Sequence, residues 1–236
     1  LLSTKPISRK EGLRLLREAE ANAEGKGDFV KSQVRSLKER IGAADDEPAP
    51  TSRLLETAYV KYFYLNTSRQ DLNYNNNGDK YSRGSASRAG FTSRIENAGP
   101  ISFFLNPEFR HPDAVGQEEN SLILRKAYGV YDFGWDFIVG KDSQWWGPGY
   151  HGALLLTNNA EPFTMVRIAN PLPVTLPWIF NKLGPFGFSF FVTNLEKARD
   201  VPEPYLYGLR FDFKPHPNIE IGLEKTALLG GRNGRP

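Results

Sequence analysis

The chain has 236 residues, with 30 Lys and Arg against 27 Asp and Glu, and it contains no cysteine. A formal net charge of +3 without a dense basic patch argues against nucleic acid as a partner. The lack of cysteine excludes disulfides, metal–thiolate sites and thiol catalysis from these residues. No apolar run approaches the ~18 residues of a membrane-spanning helix. The opening, Leu1-Leu2-Ser3-Thr4, has no signal-peptide pattern, so we expect a mature or partial chain.

The first part of the chain has helical periodicity. A capping-box spacing at Ser8 and Glu11 begins one amphipathic stretch, which glycines end, and Asp28 begins a second. Each stretch has one apolar stripe: Leu13, Leu16, Ala19 and Ala23, then Val30, Val34, Leu37 and Ile41. We predict a helical hairpin over residues 1–42, which either closes the mouth of a barrel or is an ordinary appendage. Residues 43–52, acidic and rich in proline and small residues, are predicted to be a linker.

From residue 53 onward the apolar period changes to two, which is typical of strands with one apolar and one polar face. The pattern predicts about nine strands. They lie near residues 54–65, 89–96, 100–109, 121–130, 131–140, 163–169, 186–193, 205–213 and 219–224.

The composition of the two faces indicates which kind of sheet this is. The apolar face is heavily aromatic, and Phe133, Trp135 and Phe137 are expected on it, whereas Asp136 is expected on the other face. The polar face mixes glycine and other small residues with charges of both signs. An apolar, aromatic outside and a polar inside are typical of an outer-membrane barrel, while a soluble sandwich usually has a core of Val, Ile and Leu. The pattern therefore favours a membrane barrel over a soluble sandwich.

The acidic residues of the polar face could include a glycosidase pair, but a lumen lined by both signs explains them more simply. The acids in question are Asp132, Asp136, Asp212, Glu220 and Glu224, and the arginines expected to neutralise such charges are Arg94, Arg125 and Arg210. His111, His151 and His216 have no metal-ligand spacing and are expected at the surface. We predict no catalytic residues, no metal and no cofactor.

The connections differ in length. Residues 66–88 and 110–120 are long and polar, while Asn97-Ala98-Gly99-Pro100 is a short turn. Long loops at one end and short turns at the other are usual in outer-membrane barrels. For residues 66–88, disorder and a sugar-binding loop both remain open.

Residues 141–163, KDSQWWGPGYHGALLLTNNAEPF, contain the most distinctive motif. Gly147-Pro148-Gly149 is unsuitable for a helix or a central strand, so an aromatic-rich loop is predicted. Aromatic rings with polar tips suit sugar rings, and amide, imidazole and carboxylate groups suit sugar hydroxyls. The predicted ligand-binding residues are Trp145, Trp146, Tyr150, His151, Asn158, Asn159 and Glu161. The alternative is that this loop is a buried plug.

The order of residues from Trp146 to Gly149 and from Gly152 to Phe163 resembles the signature of the capsule-assembly Wzi family. The resemblance implies an all-β fold with an N-terminal helical segment: an antiparallel transmembrane β-barrel of the bacterial outer membrane, with the helices on the periplasmic side. It implies lectin-like binding of surface polysaccharide, contact with outer-membrane lipid, and allows other envelope proteins as partners. Because the family's barrels have more strands, residues 53–236 are expected to be the N-terminal half of one.

Two other hypotheses remain open from the sequence. A porin-like solute channel would need an open, charged lumen rather than a plugged one. A soluble β-sandwich enzyme acting on glycans would stay in the aqueous phase on extraction without detergent.

Overall fold

A computed structural model describes residues 4–5, 9–41, 51–67, 75–81, 83–98, 100–111, 120–149, 151–197 and 201–231. Two helices precede a large antiparallel sheet. Among the described residues, no helix has the length and apolar character needed to cross a membrane.

The helical hairpin predicted for residues 1–42 consists of α1 (Arg9–Ala23) and α2 (Asp28–Ile41). Gly25, with φ of 84°, reverses the chain between them, in a backbone region that glycine adopts at little cost. An ion pair between Lys38 and Glu20 links the two helices. The proposed capping residue Ser8 lies outside the described residues. Val30 and Leu37 of the α2 stripe are exposed, so the described residues do not cover that stripe.

The strands follow the predicted period of two. In chain order they are β1 (Thr4–Lys5), β2 (Thr51–Leu65), β3 (Gly84–Ala98), β4 (Ile101–His111), β5 (Ser121–Asp132), β6 (Asp136–Asp142), β7 (Trp145–Trp146), β8 (Phe163–Ala169), β9 (Val174–Thr175), β10 (Pro185–Asn194), β11 (Tyr205–His216) and β12 (Ile219–Leu229). The order across the sheet is β12-β11-β10-β8-β6-β5-β4-β3-β2, with β9 beside β10 and β7 paired with β1. β2 begins at Thr51, inside the predicted linker.

The continuous strand predicted over 131–140 is wrong, because a turn at 133–135 divides it into the end of β5 and the start of β6. Gly134 has φ of 93°, and its N–H donates to Asp132 Oδ1 at 3.0 Å. This side-chain-to-backbone bond is typical of a tight turn. Aromatic residues on both sides of Gly134 conceal the turn, since the alternation continues through it.

The two faces of the sheet have the composition that the sequence predicts. Large apolar residues on alternate positions are exposed, including Phe133 and Phe137, whereas Asp136 is buried on the other face. Cross-strand registers extend this arrangement: Asp136, Ala169, Ser189, Arg210 and Glu224 lie in one row across β6, β8, β10, β11 and β12. We call the face that carries this row the inner face, and the apolar face the outer face.

The two ends of the sheet also differ. The turn end carries the connections at 99–100, 133–135 and 217–218 and also the longer segment 170–184, which contains β9. The loop end carries the connections 66–83, 112–120, 143–162 and 195–204. α1 lies at the turn end, where Lys10 forms an ion pair with Asp132. The predicted asymmetry of loops is therefore confirmed in outline, with 170–184 as the exception.

An apolar cluster fills part of the inner face. Trp146, Met165 and Phe191 are buried together, and the rings of Trp146 and Phe191 meet edge to face at 5.3 Å between centroids. Gly208 lies beneath them: a Cβ at this position would come within 2.7 Å of Trp146 Cη2 and closer still to Phe191. A glycine on the inner face thus makes room for rings that cross from other strands.

A methyl group at Gly208 should therefore destabilise the protein. We expect Gly208→Ala to lower the free energy of unfolding by about 1–3 kcal/mol, the usual cost of overpacking. Gly152→Ala is the matched control, because a Cβ at Gly152 meets nothing within 4 Å. Thermal unfolding of the purified protein measures both, and equal stability of the two variants would contradict the proposed packing.

Candidate functional site

The motif segment 141–163 folds from the loop end onto the inner face. Trp145 and Trp146 form β7, which pairs with Thr4–Lys5, and Trp146 also pairs with Leu156. The relative exposures of Trp145 and Trp146 are 3% and 0%. Neither ring presents a face to solvent in this structure, an arrangement that agrees with the buried-plug alternative. Sugar stacking by these rings stays a prediction, and it would require the loop to move.

The Asn-rich segment 75–79 docks on this motif. The backbone N–H of Asn77 donates to the carbonyl of Asn158 at 2.7 Å, and the N–H of Asn75 donates to Asn159 Oδ1 at 2.7 Å. Asn75 Nδ2 donates to the carbonyl of His151 at 2.9 Å, and Ser143 Oγ donates to Asn77 Oδ1 at 2.7 Å. Residues 75–78 and 151–161, which are far apart in the sequence, therefore form one surface at the loop end. We call this surface the cap.

The backbone of 75–79 is specialised for this contact. Asn75 and Asn77 have φ of 57° and 60°, a left-handed conformation that asparagine tolerates better than most residues. Gly78 also has positive φ, and a Cβ there would lie 2.5 Å from the backbone nitrogen of Glu161. A side chain at Gly78 would thus separate the two parts of the cap.

Beneath the cap, Asp79 is surrounded by arginines. Its carboxylate lies 2.7 Å from a terminal nitrogen of Arg88, 3.0 Å from one of Arg110 and 2.8 Å from one of Arg125. Glu108, with 0% of its surface exposed, contacts Arg110 at 2.9 Å and Arg125 at 3.0 Å. We call Arg88, Arg110 and Arg125 the arginine cage.

Further bonds hold the arginine cage in place. Tyr59 donates to Glu108 Oε2 at 2.8 Å, and Arg88 donates to the carbonyl of Lys80 at 2.9 Å. The guanidinium of Arg88 also lies over the rings of Phe63 and Tyr81, at 5.2 and 5.3 Å. Charge-assisted bonds of this kind are strong where water is excluded.

The predicted neutralisation of the inner-face acids is confirmed for Arg210, whereas Arg94 and Arg125 pair with other carboxylates. Arg210 pairs with Asp212 and Glu224, two of the expected acids. Arg94 pairs instead with Glu56 and Glu96. Arg125 pairs with Asp79 and Glu108, which the sequence interpretation did not single out.

The predicted site residues fall into two groups. His151, Asn159 and Glu161 are exposed on the cap, and Asn158 is half-buried beside Asn77. Trp145 and Trp146 lie beneath, and Tyr150 lies outside the described residues. The sequence analysis missed Asp79, Arg88, Glu108 and Arg110. The run Asn75-Asn76-Asn77-Gly78-Asp79 carried a turn signal, but nothing in it predicts the distant arginines.

No group of three or more His, Asp or Glu among the described residues could hold a metal ion. His111, His151 and His216 are all exposed, as expected. The cap presents amide, imidazole and carboxylate groups to solvent, and the positively charged arginine cage lies beneath them.

Comparison with known proteins agrees with this architecture. A 55.8 kDa protein from the cps region of Klebsiella pneumoniae is 33% identical over 115 residues, which are 47% of this chain and 22% of that protein. A solved structure from Escherichia coli, Wzi, is described as a carbohydrate-binding β-barrel of the outer membrane involved in group 1 capsule assembly.

The likeness to the E. coli structure has a TM-score of 0.70 at 21% identity, and it covers 100% of this chain and 49% of that one. The chain therefore spans about half the length of that relative, and the likeness concerns the fold. A family model described as capsule assembly protein Wzi matches residues 64–236. Since this match covers well over half of the sequence, the chain belongs to the Wzi family of capsule assembly proteins.

Proposed function

We propose that this chain is part of an outer-membrane β-barrel that binds surface polysaccharide without cleaving it, and that the cap is the surface that meets the sugar. The observation that carries the proposal is the docking of segment 75–79 on the motif 143–161. It places polar groups of His151, Asn158 and Asn159 together at the loop end.

The buried ion pairs of the inner face favour binding over solute conduction. A charged pore needs side chains that are solvated and face an open lumen. Here Arg88, Arg125 and Arg210 are buried and paired with carboxylates. A porin-like channel therefore has less support than a binding role.

The outer face supports a place in a membrane. Apolar side chains on alternate positions of most long strands are exposed, among them Val60, Phe103, Leu122 and Leu223. Exposed apolar area on this scale is unusual on a water-facing surface. In the proposed orientation the cap faces the cell exterior, and the helices at the turn end face the periplasm.

The binding proposal predicts that exposed polar groups of the cap contribute to affinity. We expect the double variant His151→Ala/Glu161→Ala to bind the surface polysaccharide of the producing strain about ten-fold more weakly, because each lost hydrogen bond to sugar contributes about 0.5–1.5 kcal/mol. Binding of the purified protein to immobilised polysaccharide measures this effect.

The matched control is His216→Ala/Glu220→Ala, the same residue types exposed at the turn end. Its affinity should stay at the wild-type value. If both double variants lose affinity equally, or neither does, the cap is not the sugar-binding surface.

The membrane proposal predicts that charge is tolerated on one face only. Leu105 is exposed on the outer face, and its cross-strand partner Ser93 is next to Thr92, which points inward and bonds to Glu56. We expect Leu105→Arg to lower the free energy of unfolding by about 2–4 kcal/mol if the residue lies near the bilayer midplane. Thr92→Arg should lower it less, because the carboxylate of Glu56 is close to the new charge.

Unfolding of the protein in lipid bilayers, followed by the heat-dependent shift in gel mobility, compares the two variants. A smaller cost for Leu105→Arg than for Thr92→Arg would mean that the faces are assigned the wrong way round.

The N-terminal residues are proposed to obstruct the barrel. In α1, Lys10 pairs with Asp132 at the turn end, and in β1, Thr4–Lys5 pairs with Trp145–Trp146. Deleting residues 1–41 should therefore raise single-channel conductance in a planar bilayer. Unchanged conductance of a correctly inserted variant would show that these residues obstruct nothing.

A further inference from the structure

The arginine cage has the composition of a carboxylate-binding site. Three guanidinium groups, those of Arg88, Arg110 and Arg125, converge on the carboxylate of Asp79 at 2.7 to 3.0 Å. The planar guanidinium fork matches the geometry of a carboxylate, and such pairs are strong and specific. The present occupant of this site is a side chain of the protein itself.

The cage and its occupant come from different kinds of structure. Arg88, Arg110 and Arg125 lie on the consecutive strands β3, β4 and β5, and Arg88 and Arg110 are cross-strand partners. Asp79 belongs to the connection between β2 and β3. The sheet therefore fixes the cage, whereas the carboxylate is brought to it by a loop segment that could be withdrawn.

Charge balance limits what could replace Asp79. Glu108 also lies on β4 and stays with the cage, where it contacts Arg110 and Arg125. Without Asp79, the buried Arg88 and Arg125 and the partly buried Arg110 would face one carboxylate. Leaving buried charges unpaired is strongly unfavourable, so withdrawal of Asp79 requires another anion in its place.

We propose that the arginine cage binds a carboxylate of an acidic sugar in exchange for Asp79. This inference rests on the proposed function and specifies its ligand: a polysaccharide whose repeating unit carries a carboxylate, as a uronate or a carboxylate-bearing substituent. A carboxylate-for-carboxylate exchange keeps two carboxylates against the three arginines of the cage, which a neutral glycan cannot do. Segment 75–79, which bonds to Asn158 and Asn159, then links entry of the sugar into the cage to opening of the cap.

The test uses fragments of the surface polysaccharide of the producing strain, in native form and after chemical reduction of their carboxyl groups to alcohols. The wild-type protein should bind native fragments at least ten-fold more tightly than reduced ones. Asp79→Asn removes the competing carboxylate and keeps the side chain's shape. It should therefore raise affinity for native fragments ten-fold or more and leave affinity for reduced fragments unchanged.

Asp212→Asn is the matched control, since Asp212 is a buried partner of Arg210 on the same strand and not on a loop. It should change affinity for neither form. Equal binding of native and reduced fragments by wild-type and Asp79→Asn would overturn the carboxylate exchange and leave carbohydrate binding intact. A surface polysaccharide without carboxyl groups would overturn it as well. Binding of neither form would contradict the proposed function itself.

A second variant does not depend on removing a buried charge. Asn77 and Ser143 touch through their side chains at 2.7 Å, and the 236 residues contain no cysteine. In Asn77→Cys/Ser143→Cys, a disulfide should hold segment 75–79 over the cage. The oxidised protein should lose its preference for native over reduced fragments, and reduction of the disulfide should restore it. A preference that persists in the oxidised protein would overturn the exchange.

Discussion

The carboxylate of Asp79 holds together parts of the protein that would otherwise be separate. Three strands bring arginines to one buried place, and such charges are tolerated away from water only when they are paired. Because Asp79 supplies that pairing, segment 75–79 is drawn onto the inner face. Asn75 and Asn77 are then positioned to bond to the motif loop. The cap is thus a consequence of charge neutralisation beneath it.

This arrangement reverses that of an ordinary globular domain. Most large apolar side chains of the described strands are outside, while the described inside holds ion pairs, glycines and a small apolar cluster around Trp146. An inside of this kind derives little from the hydrophobic effect, so its order depends on directional contacts. Positional precision at the loop end therefore comes from hydrogen bonds and ion pairs, which suits a surface that recognises polar ligands.

The sequence predicted most of the strands because their signal is local. Alternation along β3, β10, β11 and β12 is enough to place each strand and its faces. The turn at 133–135 was missed because aromatic residues continue the same period through it. The motif loop was located correctly, but the burial of Trp145 and Trp146 was left open, since burial depends on what packs against a loop. The pairing of Asp79 with Arg125, 46 residues apart, has no local signal at all.

The pairing of β1 with β7 has a consequence for the order of folding. Thr4–Lys5 and Trp145–Trp146 are separated in the sequence by α1, α2 and the strands β2 to β6. The hairpin of helices and the strand pairs β3–β4, β5–β6 and β11–β12 close through short connections, whose entropic cost is small. Among the described residues β1 pairs with β7, and this pairing forms only after the chain has passed residue 146 and the motif segment has folded inward. The docking of Thr4–Lys5 is therefore expected among the last events of assembly.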